Sequence, residues 1–534
     1  MKFKAFLKNF YIGIKEGISR FLVAFICTIL FFLTVSYEII FITNKDEIIV
    51  PLCMSFALTA VLSVLLKTMQ EYIAHKLNGI YQYVLCTITA ITAFILIKIH
   101  YESLYTIMAY TGIMIALICF IFFVLMRGEN RNLVFSKLVT SWMFAGAICG
   151  VVSGGLSICI TAFESLIFSW NNIYKLHLIV ILFVWVIGFI NIFLSFIPKK
   201  DVPVPQSKIF RTFVLFAGLP LYILLIAILL VYLAKIVITW NMPVGEINWF
   251  ASFASLFFIF FLLGVIQYSE KIAKLYVKYG GYFLAPVLIM QAIAVFERIN
   301  AYGLTTPRTI SLVLIIISIL FIATSIIAPK HLNKIALVSG IIVLIVTVTP
   351  LNVIDMPVAS QTNILETVLT QNNMLENDKV VPNANISQRD AQKILSAYEY
   401  LKYDAKQTPG FIPDPEKSIQ ELFGFTRETA EENYNIYCYF RAKESIDIAG
   451  YDKMVEVHSD NNFIKLNHNG VQYDIDLKQL AVDLYSQYGT EKTELDIYIV
   501  DENTALYITY FYFDINNNDV KYCNLDGYAL LKTK

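Results

Sequence analysis

The sequence is short of charge. Of its 534 residues only 15% are Asp, Glu, Lys or Arg and 57% are hydrophobic, whereas an average soluble protein has about 25% charged residues. The 41 basic and 41 acidic residues cancel, so neither sign dominates the whole chain. This composition excludes a single soluble globule, a disordered chain and the basic surface of a nucleic-acid binder. The chain is predicted to be a polytopic membrane protein.

Recognisable catalytic motifs are also missing. The sequence contains no CxxC pair, no phosphate-binding loop and no nucleophile elbow. Glu71 and His75 have an i, i+4 spacing that suits a metal, but no third ligand accompanies them and the other five histidines are scattered. We therefore expect no catalytic residues, no cofactor and no metal site, and favour a non-enzymatic role.

Long hydrophobic runs, by contrast, are abundant. A membrane-spanning helix needs about 20 apolar residues, because the hydrocarbon core is about 30 Å thick. The ninth run is the shortest and contains Pro286 and Gln291. Eleven runs qualify: Phe21–Ile42, Ile48–Leu66, Ile80–Ile99, Leu104–Met126, Leu138–Phe163, Leu176–Ile197, Thr212–Ala234, Trp249–Tyr268, Tyr282–Phe296, Thr309–Ala328 and Ile335–Leu351.

The basic residues between these runs predict the orientation. The N-terminus and every second loop contain 19 Lys and Arg residues, and the five other loops contain six. Because basic residues stay on the cytoplasmic side, the N-terminus is predicted inside and the C-terminal region outside the cell membrane. Residues 1–20 place Phe3, Phe6, Phe10 and Ile14 on one helical face, which predicts an amphipathic helix on the inner leaflet. An ordinary basic tail is the alternative.

The two halves of the chain differ in charge. Met1–Leu351 has 25 basic and 12 acidic residues, and Asn352–Lys534 has 16 basic and 29 acidic residues. The predicted organisation is a helical membrane domain (21–351), a linker with one weak helix (352–386) and an extracytoplasmic α+β domain (387–534). That last domain is long enough to bury its own core.

The periodicity of the C-terminal region predicts helices and strands. Helices are expected from Ser387 to about Tyr403, after Asp414-Pro415, and over Leu477–Tyr488. The aromatic residues of Ala505–Asp514 occupy both faces, which predicts a central strand covered on both sides. Strands are expected at Tyr434–Arg441, Ser445–Ala449, Phe463–Asn467, Val471–Asp476, Leu495–Val500, Ala505–Asp514 and Val520–Leu531, with Asn469-Gly470 as a hairpin turn.

Cysteine usage follows the same division. Six of the eight cysteines lie in the hydrophobic runs, and Cys438 and Cys523 lie in predicted strands. An oxidising compartment allows a disulfide between these two, and two separate core thiols are the alternative.

Small residues in the fifth run have helical spacing. Gly146, Gly150 and Gly154 recur every four residues, which lets two helices approach closely. Packing within the chain is favoured, and a homodimer seam is the alternative.

Glu297–Arg308, called the motif loop below, joins the ninth and tenth runs. From Arg298 to Arg308 it reads R-I-x-x-Y-G-L-T-x-x-R. This pattern, with a polytopic block and a soluble tail, resembles the bacterial multi-pass membrane family catalogued as domain of unknown function 4153. The resemblance implies a cell-membrane protein and supplies no catalytic residues.

The residues of the motif loop allow two interpretations. Gly303 permits a tight turn, Thr305 or Thr306 can cap the next helix, and Glu297 can pair with an arginine in a structural corner. Alternatively, Arg298, Tyr302 and Arg308 form an outward site for a phosphate or carboxylate.

Two functions follow from these interpretations. The favoured one is an envelope scaffold or sensor, embedded in the lipid bilayer, whose outer domain binds an envelope protein or polymer. The alternative is a transporter or lipid-linked envelope enzyme that uses Arg298 and Arg308 above a polar cavity at Pro286, Gln291 and Gly218. No nucleic-acid partner is expected, and a homo-oligomer remains open.

Overall fold

The structure, a computed structural model, has eleven helices in its described part that are long and apolar enough to cross a membrane. It describes residues 2–41, 47–73, 79–128, 130–167, 172–200, 202–239, 246–430, 436–442, 448, 450–458, 463–468, 471–488, 494–495, 497–516 and 519–532. The predicted fold class, a helical membrane bundle followed by an α+β region, is confirmed.

The first helix, α1, precedes the spans and runs over Lys2–Arg20, as the amphipathic pattern predicts. At Gly17 an added Cβ would lie 2.6 Å from Ser195 Cβ, so α1 is closely packed there. The simple spans are α2 Leu22–Phe41, α3 Ile49–Tyr72, α4 Gly79–Ile99, α5 Leu104–Leu125, α6 Val134–Leu166, α11 Glu246–Val265, α12 Lys271–Tyr302 and α13 Thr306–Ile327.

Three spans are composite. The sixth is α7 Ile173–Leu182, a π-helical segment Phe183–Phe189 and α8 Ile190–Ser195. The seventh is α9 Lys208–Thr212, a π-helical segment Phe213–Gly218 and α10 Leu219–Thr239. The eleventh is a 3₁₀ turn Pro329–His331 and α14 Leu332–Val348.

The ninth span corrects the expectation of a short helix. Helix α12 has 32 residues and continues through Pro286, which at 1.5 Å per residue makes it about 48 Å long. Hydropathy detects only its apolar middle, because the lysines of its first turns are compatible with a helix but not with the hydrocarbon core.

The chain divides into two compact units. Unit 1 comprises Met1–Ile364 and Ala397–Thr408, and unit 2 comprises Leu365–Ser396 and Pro409–Lys534. The boundary between Ile364 and Leu365 lies inside the helix Asp355–Gln371, within the segment 352–386 expected to be a linker. The post-membrane helices are α15 Asp355–Gln371, α16 Gln388–Glu399 with a π-helical end Tyr400–Asp404, α17 Ile419–Phe423, α18 Arg427–Ala430 and α19 Leu477–Tyr488.

Capping explains where two of these helices begin. Asp390 N–H donates to Ser387 Oγ at 3.2 Å before α16, as the sequence predicts. For α17, Ser418 and Glu421 form a reciprocal capping box, so this helix begins four residues after Pro415 rather than at it.

The strands of unit 2 are short except for a long antiparallel pair. A six-stranded sheet has the order β4-β10-β9-β3-β7, with β8 also paired to β9. The hairpin β5–β6 is formed, whereas Asn469 and Gly470 lie outside the described residues, as does most of the expected strand Ser445–Ala449. The strands are β1 Leu375–Glu376, β2 Lys379–Val380, β3 Ile436–Ala442, β4 Lys453–His458, β5 Phe463–His468, β6 Val471–Asp476, β7 Glu494–Leu495, β8 Tyr498–Ile499, β9 Thr504–Asn516 and β10 Asp519–Leu531.

Strand β9 is central, as predicted, but it is covered on one face. Its register with β10 shifts so that Tyr510 pairs with Asp526 and Ile508 pairs with Gly527. This bulge skips Thr509, which is exposed, and it changes the alternation of buried positions. Leu506 and Ile508 are buried before the bulge, and Phe511 and Phe513 after it.

Candidate functional site

Gly303 makes the turn in the middle of the motif loop, between the end of α12 at Tyr302 and the beginning of α13 at Thr306. It caps α12 with φ +72°, and its N–H donates to Ile299 O at 2.8 Å. A Cβ at this position would lie 2.3 Å from Ile364 Cδ1 and 2.9 Å from Gln361 Nε2. Both the backbone conformation and the space therefore require glycine.

Arg308 lies across the end of α12. Its guanidinium donates to Gly303 O and, at 3.3 Å, to Tyr302 O. The same group lies 5.9 Å from the centre of the Tyr302 ring. The last carbonyls of a helix have no partner within the helix. Arg308 therefore serves as a C-terminal cap from the beginning of the next helix.

Side chains of α15 hold the rest of the turn. Gln361, which is 1% exposed, donates to both Tyr302 O and Leu304 O at 2.8 Å. Ser360 Oγ accepts from Leu304 N–H at 3.0 Å. The backbone of the motif loop is thus fixed by the helix that follows the last span.

Tyr400 caps α13 in place of the expected threonine. Neither Thr305 nor Thr306 makes a side-chain cap bond. Instead, Thr306 N–H donates to Tyr400 Oη at 3.2 Å, and the two hydroxyls lie 2.8 Å apart. Thr306 Oγ1 donates to Val353 O, so the Tyr400 hydroxyl supplies the proton between the two. Burial raises the pKa of Tyr400, which keeps this donor protonated.

Glu297 and Arg298 lie outside this network. Glu297 is exposed and Arg298 is half-buried. In the part of the chain that the structure describes, neither makes an ion pair, so the expected pairing of Glu297 with an arginine is not formed. Arg308 is directed to backbone carbonyls instead.

A polar network continues from the motif loop into the bundle. Ser311 Oγ donates to Pro307 O at 2.9 Å and accepts from Asn248 Nδ2 at 3.0 Å. Gln291, fully buried on α12, donates to Asn248 Oδ1 and Ser252 Oγ, both at 2.9 Å. The network links α11, α12 and α13 by hydrogen bonds, which hold helices together where water is absent.

The residues proposed to open a transport cavity are not brought together. Gln291 belongs to the buried network, whereas a Cβ at Gly218 would lie 2.7 Å from the Phe261 ring. A cavity of about 910 Å³ in the bundle is lined almost entirely by apolar side chains, among them Phe122, Phe193 and Phe260. Such a lining does not bind ions.

The glycines of α6 do not have the expected partner. A Cβ at Gly146 would contact Phe189 at 3.8 Å, but at Gly150 and Gly154 it would meet no atom of the described residues within 4 Å. Both positions are exposed. Among the described residues these two glycines therefore have no close packing partner, and the favoured interpretation, close packing within the chain, stays a prediction for them.

The cysteine pair is separated by a strand. Cys438 on β3 and Cys523 on β10 both lie opposite Phe513 of β9, and neither forms a disulfide. Two strand spacings put their Cα atoms about 9.5 Å apart, beyond the roughly 7 Å limit for a disulfide. The structure therefore supports two separate core thiols.

Arg20 forms a buried ion pair that the sequence did not predict. Its guanidinium makes two hydrogen bonds to the Glu71 carboxylate, at 2.6 and 3.0 Å, and donates to Ile197 O and Pro198 O. The Glu71 carboxylate is thus paired with Arg20, and His75 lies outside the described residues. No described group of three His, Cys, Asp or Glu side chains could hold a metal ion.

Comparison with known proteins identifies one family. The model of the family described as "Domain of unknown function (DUF4153)" matches residues 21–385, which include all eleven spans and the motif loop. No curated protein and no solved structure matches the chain.

Proposed function

The chain belongs to the DUF4153 family, and we propose that it is a non-enzymatic envelope scaffold or sensor with an outward-facing binding domain. The observation that carries the proposal is the set of hydrogen bonds that holds the motif loop in place. Its backbone is held by Arg308 from within and by Ser360, Gln361 and Tyr400 from the helices that lead into and out of unit 2.

This arrangement suits mechanical coupling. Helix α15 begins in unit 1 and ends in unit 2, and α16 returns to unit 1 at Ala397. The motif loop lies where both helices are attached to the bundle by hydrogen bonds. A force or a rearrangement in the C-terminal domain would reach α12 and α13 through these bonds.

The anion-site hypothesis receives less support. Nη1 of Arg308 already donates to two carbonyl oxygens, which fixes this guanidinium against the backbone of the loop. The hypothesis requires Arg298 and Arg308 together as donors to the anion. The apolar lining of the large cavity likewise disfavours a transporter of polar substrates.

The two interpretations of the loop are separated by charge-neutral variants. If the loop is a corner, Arg308→Gln lowers the amount of folded protein in the membrane and Arg298→Gln changes it little. If the loop is an anion site, both variants remain abundant, and both lose the stabilisation that phosphate or a carboxylate gives the wild type in thermal unfolding.

The binding role is tested by photo-crosslinking in cells. Tyr522, 54% exposed on β10, is replaced by a photo-reactive amino acid, and adducts are identified by mass spectrometry. We expect a discrete adduct with an envelope protein or polymer. A matched probe at the half-buried Lys67, at the opposite predicted end of the bundle, should not give this adduct. Turnover of an envelope substrate by the purified full chain, or identical adducts from both probes, would contradict the proposal.

A further inference from the structure

A second cavity, separate from the motif loop, lies where α11 ends, α12 begins and α13 ends. Its volume is about 710 Å³. Lys274 and Lys278 line it from successive turns of α12, and Tyr268, Tyr279 and Tyr282 add three aromatic side chains with hydroxyl groups. Apolar side chains, among them Ile266 and Val277, complete the lining.

The polar part of this cavity is suited to an anion. Neither Lys274 nor Lys278 makes an ion pair with a described residue, and the Lys278 ammonium lies 4.9 Å from the centre of the Tyr279 ring. Glu270, which immediately precedes α12 in the sequence, is bound by Arg211, so its charge is already paired. The first turn of the 32-residue helix α12 adds the positive end of a helix dipole.

One buried hydroxyl beside the cavity lacks a hydrogen-bond partner in the described part of the chain. Tyr268 is 6% exposed, it lines the cavity, and its hydroxyl has no hydrogen-bond partner among the described residues. Buried hydroxyls are normally hydrogen-bonded. The hydroxyl itself is covered by protein atoms, so a ligand oxygen in the cavity reaches this donor only when the Tyr268 side chain rotates.

The position of the cavity indicates which class of anion binds there. The lysines lie at the end of the bundle that the loop charges assign to the cytoplasm, where the leaflet contains anionic lipids. Exposed Tyr279 and Tyr282 are residues that favour the membrane interface. We propose that this cavity binds the phosphate-bearing headgroup of an anionic phospholipid, with its acyl chains against the apolar side of the cavity.

The test is native mass spectrometry of the purified full chain with phosphatidylglycerol or phosphatidylcholine in the detergent. The wild type should retain phosphatidylglycerol in preference. Lys274→Gln with Lys278→Gln should weaken its binding about 25-fold, because each lysine near an anionic headgroup is worth about fivefold. The matched control is Lys330→Gln with Lys334→Gln, which removes the same charge from exposed positions at the same end, outside the cavity lining.

A third variant and a competition experiment complete the test. Tyr268→Phe removes only the unpartnered hydroxyl and should weaken phosphatidylglycerol binding severalfold, even if the double lysine variant does not fold. Equal losses in the control pair, or unchanged binding in Tyr268→Phe and both single lysine variants, would overturn the proposal. If inorganic phosphate competes as well as the lipid does, the source is a soluble phosphate and the lipid assignment is wrong.

Discussion

At the scale of single residues, the corner around Gly303 depends on groups that are far apart in the sequence. Gly303 and Arg308 could be identified as a turn and a charged partner from the motif itself. Gln361, Ser360 and Tyr400 could not, because they follow the last span by many residues and have no distinctive spacing. Only the folded chain brings their side chains to the carbonyls and N–H groups of the loop.

We predict that Gly303→Ala lowers the free energy of unfolding by about 1–3 kcal/mol, because it forces a side chain into a left-handed conformation and against Ile364. Thermal unfolding in detergent measures the loss. The control is Gly150→Ala, which places a methyl group in open space on a helix. It should be neutral or slightly stabilising, and a loss there would indicate a second copy packed on α6.

Arg20 and Glu71 form the most buried ion pair among the described residues, with side-chain exposures of 8% and 24%. Arg20→Ala should lower stability by about 3–5 kcal/mol, because it leaves a partly buried carboxylate unpaired. Adding Glu71→Gln should restore part of the loss. Lys199→Gln breaks an exposed pair with Glu16 and should cost less than about 1 kcal/mol. Equal effects of both single variants would contradict this assignment.

At the scale of elements, β9 shows how one bulge changes a prediction. The aromatic residues on both faces of its sequence suggested a strand covered on both sides. Skipping Thr509 brings Ile508 and Phe511 to the same face, so that face alone holds the large buried side chains. A bulge of one residue depends on the pairing with β10, and the alternation along a single strand does not reveal it.

The separation of Cys438 from Cys523 by β9 predicts that both thiols stay reduced. After oxidant treatment, denaturation and alkylation, each should add one alkyl group. Burial raises the pKa of Cys438 to about 11, so its alkylation at neutral pH should be slow until the chain unfolds. As a positive control, Tyr512→Cys with Asn524→Cys joins residues directly opposite on β9 and β10 and should form a disulfide. A bond between Cys438 and Cys523 would require another strand order.

At the scale of the whole molecule, the eleven spans make the chain a multi-pass membrane protein. The odd number of candidate spans in the described part of the chain predicts that its two ends lie on opposite sides of the membrane. The excess of basic residues in alternate loops then predicts which end is cytoplasmic.

This orientation is tested with reporters and a protease. A periplasm-active reporter fused after Lys534 should be active, and the same reporter after Lys200 should be inactive. Protease added to cells with a permeabilised outer layer should remove the C-terminal domain and spare the loop at Lys200. A C-terminal domain that resists this protease while a reporter at Lys534 works only in the cytosol would reverse the topology.

The sequence alone determined the membrane class, the number of spans and the α+β character of the C-terminal region. These properties follow from hydrophobic length and periodicity, which are local. Tertiary structure decided which groups hold the motif loop, which cysteines are neighbours and which glycines have a packing partner. Those properties depend on contacts between side chains that are distant in the sequence. No local sequence pattern predicts such contacts.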